Sequence, residues 1–377
     1  MSGLLDGVRV LELARVLAGP FGGQVLAEMG ADVVKLEFPA GDWARTTSPH
    51  LDGRSLYFSS VNTGKRGVVV DPATVEGKRR LEGLLGAADV VVENFRPPAA
   101  ADLGLLPDQL LARHPRVVLV TVSGYARESA RSGEPAYDVS IQAEAGLMSV
   151  TGEPGGRPAR AGVPISDLVA GMWAALAAVS GLVSRGRTGR GVHLEVPLLD
   201  ATLPLLSYMA PAALHHGIDP PPVGSGHHVI TPYGAFQTRD GWVVVAVLAD
   251  KFWPKLCDAL GLGGLAPAVR PELGSNQARL AVRGEVESTV AEAMAPLTTA
   301  EALARLGTAG VPHAPVLGLL GALRSPYVQS RGIVCTVDAP EGSYDVVQGP
   351  LHDGRTRRPA PALGEHTDEV LADWGVS

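Results

Sequence analysis

Apolar positions in the first third of the chain form short, near-continuous runs: "VRVLEL" (8–13), "ADVVKLE" (31–37), "GVVVD" (67–71), "DVVVENF" (89–95) and "RVVLVTVSGY" (116–125). Runs rich in Val and Leu with little alternation predict strands buried on both faces. The stretches "FGGQVLAEMG", "VEGKRRLEGLLGAA" and "PDQLLARHP" between them read as helices. Strand and helix in repeated alternation predict a parallel, doubly wound α/β sheet. Further on, "LVAGMWAALAAVSGLV" (168–183) is apolar with one weakly polar interruption. It falls short of the ~20 residues that span a bilayer, and a helix apolar all round belongs in a core. "SRGRTGRG" is expected to end it at Gly186, with its three arginines in a solvated turn. "VHLEVPLLD" then alternates like another strand.

A Pro/Gly/His-rich stretch, "HHGIDPPPVGSGHHVITP" (215–232), breaks the composition and marks a domain boundary nearby. "GAFQTRDGWVVVAV" reads as a hairpin turning at Arg239 to Gly241. Ala- and Leu-rich helices follow to about residue 324, then a proline linker and a short helix in "RRPAPALGEHTDEVLADWG". The length of 377 residues suits one large domain and a smaller one. An apolar fraction of 46% against 19% charged residues describes a folded globular chain. A net charge of −7 with no basic run excludes a general nucleic-acid binder. The two cysteines, Cys257 and Cys335, make neither a disulfide framework nor a CxxC pair, and "MSGLLDGVRV" carries no secretory signal. A cytoplasmic protein without a membrane segment is the expectation.

Several common chemistries find no motif. "ARVLAGPFGGQ" has Gly19, Gly22 and Gly23 but not GxGxxG, so it reads as a strand-to-helix turn without a dinucleotide, although Glu37 ends the second strand. Ten histidines, including His215/His216 and His227/His228, show no metal-ligand spacing, and no metal site is expected. GxSxG and the phosphate-binding GxxxxGK[ST] are both missing from the sequence. Lys65 in "NTGKRG" reads as a turn lysine. Asp167, at the threshold of the apolar helix, has two readings. As an N-cap it accepts backbone N–H groups and is worth ~1 kcal/mol. As a reagent, it would be kept ionised by the same amides and helix dipole and would serve as a nucleophile in a dry pocket.

Seven segments in order, "ARVLAGPFGGQVLAEMGADVVKLE", "NTGKRGVVVD", "ADVVVENFRP", "YDVSIQAEAGLMSVTGEP", "GVPISDLVAG", "TGRGVHLEVPLLDA" and "GEHTDEVL", resemble the class III coenzyme A transferases, which include formyl-CoA and carnitine-CoA transferases and α-methylacyl-CoA racemase. The resemblance covers nearly the whole chain. It implies a Rossmann-like doubly wound large domain (1–210, completed by 330–377), a smaller α+β domain (211–329) and an interlocked homodimer. It also implies CoA transfer between carboxylic acids, with an acyl-CoA thioester as co-substrate and no permanently bound cofactor.

On this resemblance Asp167 is the nucleophile, passing through an aspartyl anhydride and an aspartyl-CoA thioester. The backbone amides of Gly224, Ser225, Gly226 and His227 are the candidate oxyanion donors. Leu17, Ala18, Asn94, Phe95, Tyr137 and Asp138 match substrate positions, as does Asp71 at the end of the third strand. Tyr137 stands where racemases of the family have a histidine, which argues against racemisation. Phe38, Ala73 and Asp102 stand where CoA-binding members often have cations, leaving Arg45, Lys65 and Arg96 as substitutes. Two alternatives stay open: acyl transfer from a carrier other than CoA, and a noncatalytic ligand-binding homologue.

Overall fold

Six strands, β1 (Arg9–Glu12), β2 (Asp32–Glu37), β3 (Arg66–Val69), β4 (Val90–Glu93), β5 (Val118–Ser123) and β6 (His193–Pro197), form one sheet in the order β3-β2-β1-β4-β5-β6. Every pairing is parallel. The structure, a computed structural model, describes residues 3–355 and 357–376. The main helices around this sheet are α1 (Ala18–Glu28), α2 (Val75–Ala87), α3 (Asp138–Glu144) and α4 (Ile165–Thr188).

The near-continuous apolar runs have the expected cause, because both faces of the sheet are covered. On one face Val10, Val90, Val92, Val118 and Val120 pack with Leu26 of α1 and with Val169, Ala170, Ala174 and Ala178 of α4. On the other, Leu11, Val34, Leu36, Val91 and Leu119 pack with Leu81, Leu84 and Leu85 of α2 and with Val370, Leu371 and Trp374 of the C-terminal helix Thr367–Trp374.

The chain divides into two compact units: 1–147 with 160–211 and 326–377, and 148–159 with 212–325. The short piece 148–159 thus joins the second unit, although its sequence neighbours lie in the first. In the second unit β7 (Tyr233–Thr238), β8 (Gly241–Ala246) and β9 (His313–Pro315) make an antiparallel sheet in the order β9-β8-β7. Helices α5 (Phe252–Leu260), α6 (Arg283–Met294) and α7 (Thr299–Ala309) bring Trp253, Leu256, Val286, Val290 and Leu306 onto Val243 and Val245.

Helix α4 runs for 24 residues, past the expected stop at Gly186, and ends at Gly189 with φ 72°. Glycine accepts that left-handed backbone without strain. Of the arginines read as a solvated turn, Arg185 lies inside the helix and pairs with Asp89 at 2.9 Å. By length and composition α4 could cross a membrane. Its buried alanine face instead covers the sheet.

The glycines of α1 serve close packing. A Cβ on Gly171 would lie 2.6 Å from Ala18 O and 3.1 Å from Gly22 N, and one on Gly22 would lie 2.9 Å from Gly171 O. The backbones of α1 and α4 therefore touch, one turn beyond Asp167. A Cβ on Gly23 would overlap the Glu12 carboxylate. Beneath it, Lys65 is fully buried and not a turn lysine: its Nζ meets Glu12 Oε2 at 2.6 Å, Pro20 O at 2.8 Å and Asn62 Oδ1 at 3.0 Å. Burial pushes its pKa down to about 8 despite the opposing charge of Glu12.

Gly171→Ala should force the two helices apart, because its methyl would meet the backbone at Ala18 O and Gly22 N as well as the Phe21 ring. The expected loss is about 1–3 kcal/mol, read from urea denaturation. Wild-type stability in that variant would show that the crossing can relax freely.

Candidate active site

The strand order reverses between β1 and β4, and in open parallel sheets ligands bind beyond the carboxyl ends of strands at such a point. A pocket opens there. It is lined by the turns after β1 (Arg15 to Ala18), β4 (Asn94 to Pro97) and β5 (Val122 to Tyr125), by Gly133 to Tyr137, and by Asp167.

Helix α4 starts after Pro164, whose side chain cannot cap it. Asp138, the first residue of α3, fills that role from outside. Its Oδ1 accepts the N–H groups of Ser166 at 2.8 Å and Asp167 at 3.4 Å, while its Oδ2 accepts Gln142 Nε2 at 2.6 Å. Asp167 is consequently not the cap, and its carboxylate makes no hydrogen bond among the described residues. The expectation that helix amides keep it ionised also needs correction. Burial, and then the negative charge of Asp138, push its pKa up from 3.8 to about 7. Tyr57, half-buried, feels the same field: burial and the charges of Asp167, Asp42 and Asp138 push its phenol upward.

The turn after β1 is strained. Val16 has φ 72°, and a β-branched residue in the left-handed region costs of order 1–3 kcal/mol. The Val16 N–H donates to the Asp42 carboxylate at 3.0 Å and 3.3 Å. Asp42 stays ionised: burial opposes this, but the Lys35 charge and the amide bonds from Ala44 and Val16 together hold its pKa below the usual range. Asn94 is spent on the same turn, accepting Arg15 N–H at 2.9 Å and donating to Arg15 O at 3.0 Å. Leu17 and Ala18 are buried at the start of α1, which has no side-chain cap.

Of the residues matched to substrate positions, the structure gathers Leu17, Ala18, Asn94, Phe95, Arg96 and Tyr137 with Asp167. Phe38, Arg45, Asp71, Ala73, Asp102 and Asp138 lie outside the lining. Phe38 stacks on Phe95 with ring centroids 6.0 Å apart, and the Arg15 guanidinium lies 5.2 Å and 5.4 Å from the two ring centres. Arg45 is occupied by Glu37, with Nε to Oε1 at 2.8 Å, and Lys65 by the buried cluster. Asp71 accepts Ala73 N–H at 3.0 Å in the turn that opens α2. Asp102 is exposed at the end of a short helix, Pro97–Asp102. In the second unit, Gly224 N–H donates to Gly152 O at 2.8 Å and Gly226 N–H to Val223 O at 2.9 Å, so two of the four candidate oxyanion amides are already engaged. Ser225 Oγ accepts Ala235 N–H, and His227 Nδ1 accepts Val229 N–H.

Arg15, Val16, Asp42 and Tyr57 escape the sequence reading. Arg15 carried a signal in its position next to Leu17 and Ala18. Val16 carried none, since valine disfavours its observed backbone.

A doubly wound sheet with an unbonded carboxylate at its switch point defines a pocket suited to covalent group transfer. The chain belongs to the class III CoA-transferases: residues 5–367 match the model of CoA-transferase family III. It is 35% identical to a succinate–glutarate CoA-transferase of Agrobacterium fabrum, covering 98% of this chain and 95% of that protein. It is 33% identical to a succinyl-CoA:mesaconate CoA-transferase of Haloarcula hispanica, covering 99% and 97%. A crystal structure of a CaiB/BaiF family protein from Brucella suis superimposes with a TM-score of 0.88 at 32% identity, covering 99% of this chain and all of that one.

The raised pKa of Asp167 has a thermodynamic consequence. The folded state holds this proton more tightly than the unfolded state does, so the contribution of Asp167 to stability is lost as pH rises from about 4 through about 7. Asp167→Asn removes that loss without removing a cap. Its melting temperature should match wild type near pH 4 and exceed it above pH 7, by on the order of 1–4 kcal/mol in stability. A gap that stays constant with pH would contradict the assigned shift.

Proposed function

We propose that the protein transfers CoA from an acyl-CoA to a free carboxylic acid through covalent intermediates on Asp167. The observation that carries this reading is the half-buried Asp167 carboxylate in the switch-point pocket, relieved of capping by Asp138. With a pKa near 7 it is more basic than an ordinary carboxylate, hence a better nucleophile, and it is still substantially ionised at neutral pH.

An Asp167 oxygen attacks the thioester carbonyl and expels the CoA thiolate, leaving an acyl-aspartyl anhydride. The thiolate then attacks the Asp167 carbonyl carbon, releases the donor acid as its carboxylate, and leaves an aspartyl-CoA thioester. The acceptor carboxylate attacks that same carbon, expelling the thiolate and forming a second anhydride. Attack of the thiolate on the acceptor's acyl carbon releases the new acyl-CoA and regenerates Asp167. Each tetrahedral intermediate needs donors for its oxyanion. Leu17 and Ala18 line the pocket and their amides bond to no acceptor among the described residues, which favours them over the Gly224 to His227 loop, where the Gly224 and Gly226 amides are engaged.

Arg15 and Arg96 line the pocket and make no ion pair among the described residues. They supply the positive charge that CoA phosphates require, so the cations missing at Phe38, Ala73 and Asp102 give no reason to invoke another carrier. Tyr137, 68% exposed at the pocket edge, stands where racemases of the family have a histidine, and this supports transfer over racemisation. Along α4, Met172, Trp173, Leu176 and Val183 are exposed apolar side chains. That stripe supports burial against a second copy in a homodimer.

Succinyl-CoA mixed with the protein and quenched should give an intact-mass increase equal to one CoA less one water. The formation rate should rise with pH and level off above about 7. Asp167→Asn should form no adduct and lose turnover while remaining folded; full transfer activity in that variant refutes the nucleophile. Sedimentation at low concentration should show a dimer, and a folded monomer would refute the assembly.

A further inference from the structure

The left-handed turn at Val16 stands out because a buried ion cluster restrains it together with Asn94. Asp42 is 2% exposed. Its carboxylate takes the Val16 N–H at 3.0 Å and 3.3 Å, the Ala44 N–H at 3.1 Å and Lys35 Nζ at 3.0 Å. The same Nζ donates to Ala14 O at 2.6 Å. Lys35 and Asp42 therefore grip the chain on both sides of Arg15, at a carbonyl and at an amide. Turning the Arg15–Val16 peptide plane, a rotation that changes Arg15 ψ and Val16 φ together, would carry the Val16 N–H away from Asp42 and shift the point from which Leu17 and Ala18 set out. Valine left alone would make that rotation, since its φ of 72° is unfavourable. Strained backbone of this kind persists only where surrounding structure over-determines it.

We propose that Asp42 is a positioning residue for the reaction: by holding the Val16 N–H it keeps Val16 left-handed and aims the Leu17 and Ala18 amides into the pocket that contains Asp167. The inference rests on Asp167 being the nucleophile but assigns no chemical step to Asp42 itself. Its effect should fall on covalent adduct formation, which depends on fine placement, more than on CoA binding, which is spread over the pocket.

The test compares wild type, Asp42→Asn, Val16→Gly and the double variant. Single-turnover adduct formation from succinyl-CoA is followed by intact mass, CoA affinity by calorimetry and folding by thermal melting. Asp42→Asn should slow adduct formation by about tenfold to a hundredfold and change CoA affinity by less than about threefold. Val16→Gly sets a second baseline: glycine takes the left-handed turn without help, so adding Asp42→Asn to it should cost less than adding Asp42→Asn to wild type. The double variant should recover at least about threefold of the lost rate, which a merely structural role for Asp42 would not produce. A double variant as slow as Asp42→Asn overturns the proposal, as does a wild-type rate in Asp42→Asn. If Asp42→Asn does not fold, Asp42→Glu replaces it, keeping charge for Lys35 while displacing the oxygens from the Val16 amide, and the same comparison decides. Wild type that forms no adduct overturns the nucleophile reading and this inference together, whereas adduct with unchanged variant rates overturns this inference alone.

Discussion

Four charged side chains shut away from solvent underlie the candidate site: Glu12, Lys35, Asp42 and Lys65. Lys35 lies 3.3 Å from Glu12 and 3.0 Å from Asp42, and Lys65 lies 2.6 Å from Glu12. Burying such a set is costly, and mutual pairing repays the cost only when the remaining donors and acceptors are also used. Here most are used on backbone: Ala14 O and Pro20 O accept the lysines, and the Val16 and Ala44 amides feed Asp42. The cluster thus converts charge into a fixed path for the chain between β1 and α1. Gly23 belongs to this arrangement, because any side chain there would occupy the space of the Glu12 carboxylate.

That fixed path meets α4 at the Gly22 and Gly171 crossing. Close approach brings the first turn of α4 beside the pocket, and the division of labour between two aspartates sets its chemistry. Asp138 neutralises the start of α4 by accepting two of its amides. Asp167 receives none of that stabilisation and instead feels Asp138 as a like charge. Had Asp167 capped its own helix, its lone pairs would have been engaged and its basicity lowered, both unfavourable for a nucleophile. A second carboxylate from a different helix thus takes the capping role that the sequence had offered to Asp167.

The parallel sheet was legible in the sequence because strands buried on both faces leave unbroken Val and Leu runs, and the two-residue hairpin at Arg239 and Asp240 because β7 and β8 alternate around turn residues. The end of α4 was misplaced by one glycine: Gly186 sits inside the helix, and only Gly189 adopts the left-handed backbone that stops it. The place of Asp167 in the first turn of α4 was legible from the apolar run that follows it. Its isolation from the helix amides was not, since that depends on Asp138, 29 residues earlier in the chain. Lys65 misled for a similar reason. A lysine in "NTGKRG" looks solvated until tertiary structure supplies Glu12, and no local pattern encodes a partner 53 positions away.

The same limit applies to the cations missing at Phe38, Ala73 and Asp102. Sequence positions can be compared one at a time, but charge in a pocket is a property of the whole surface. Phe38 and Phe95 form a stacked platform on which the Arg15 guanidinium lies, within about 5.5 Å of both ring centres. An arginine at position 38 would exchange an attractive aromatic face for a like charge close to Arg15, so a cation at 15 and an aromatic ring at 38 constitute one arrangement. Replacing either alone is not a conservative change. Arg15 brings positive charge to this pocket from the turn after β1 instead of the end of β2, and that turn is itself pinned from below by the buried cluster. Electrostatics at the pocket and strain in its wall therefore share one origin, the path that Lys35 and Asp42 impose between Ala14 and Val16.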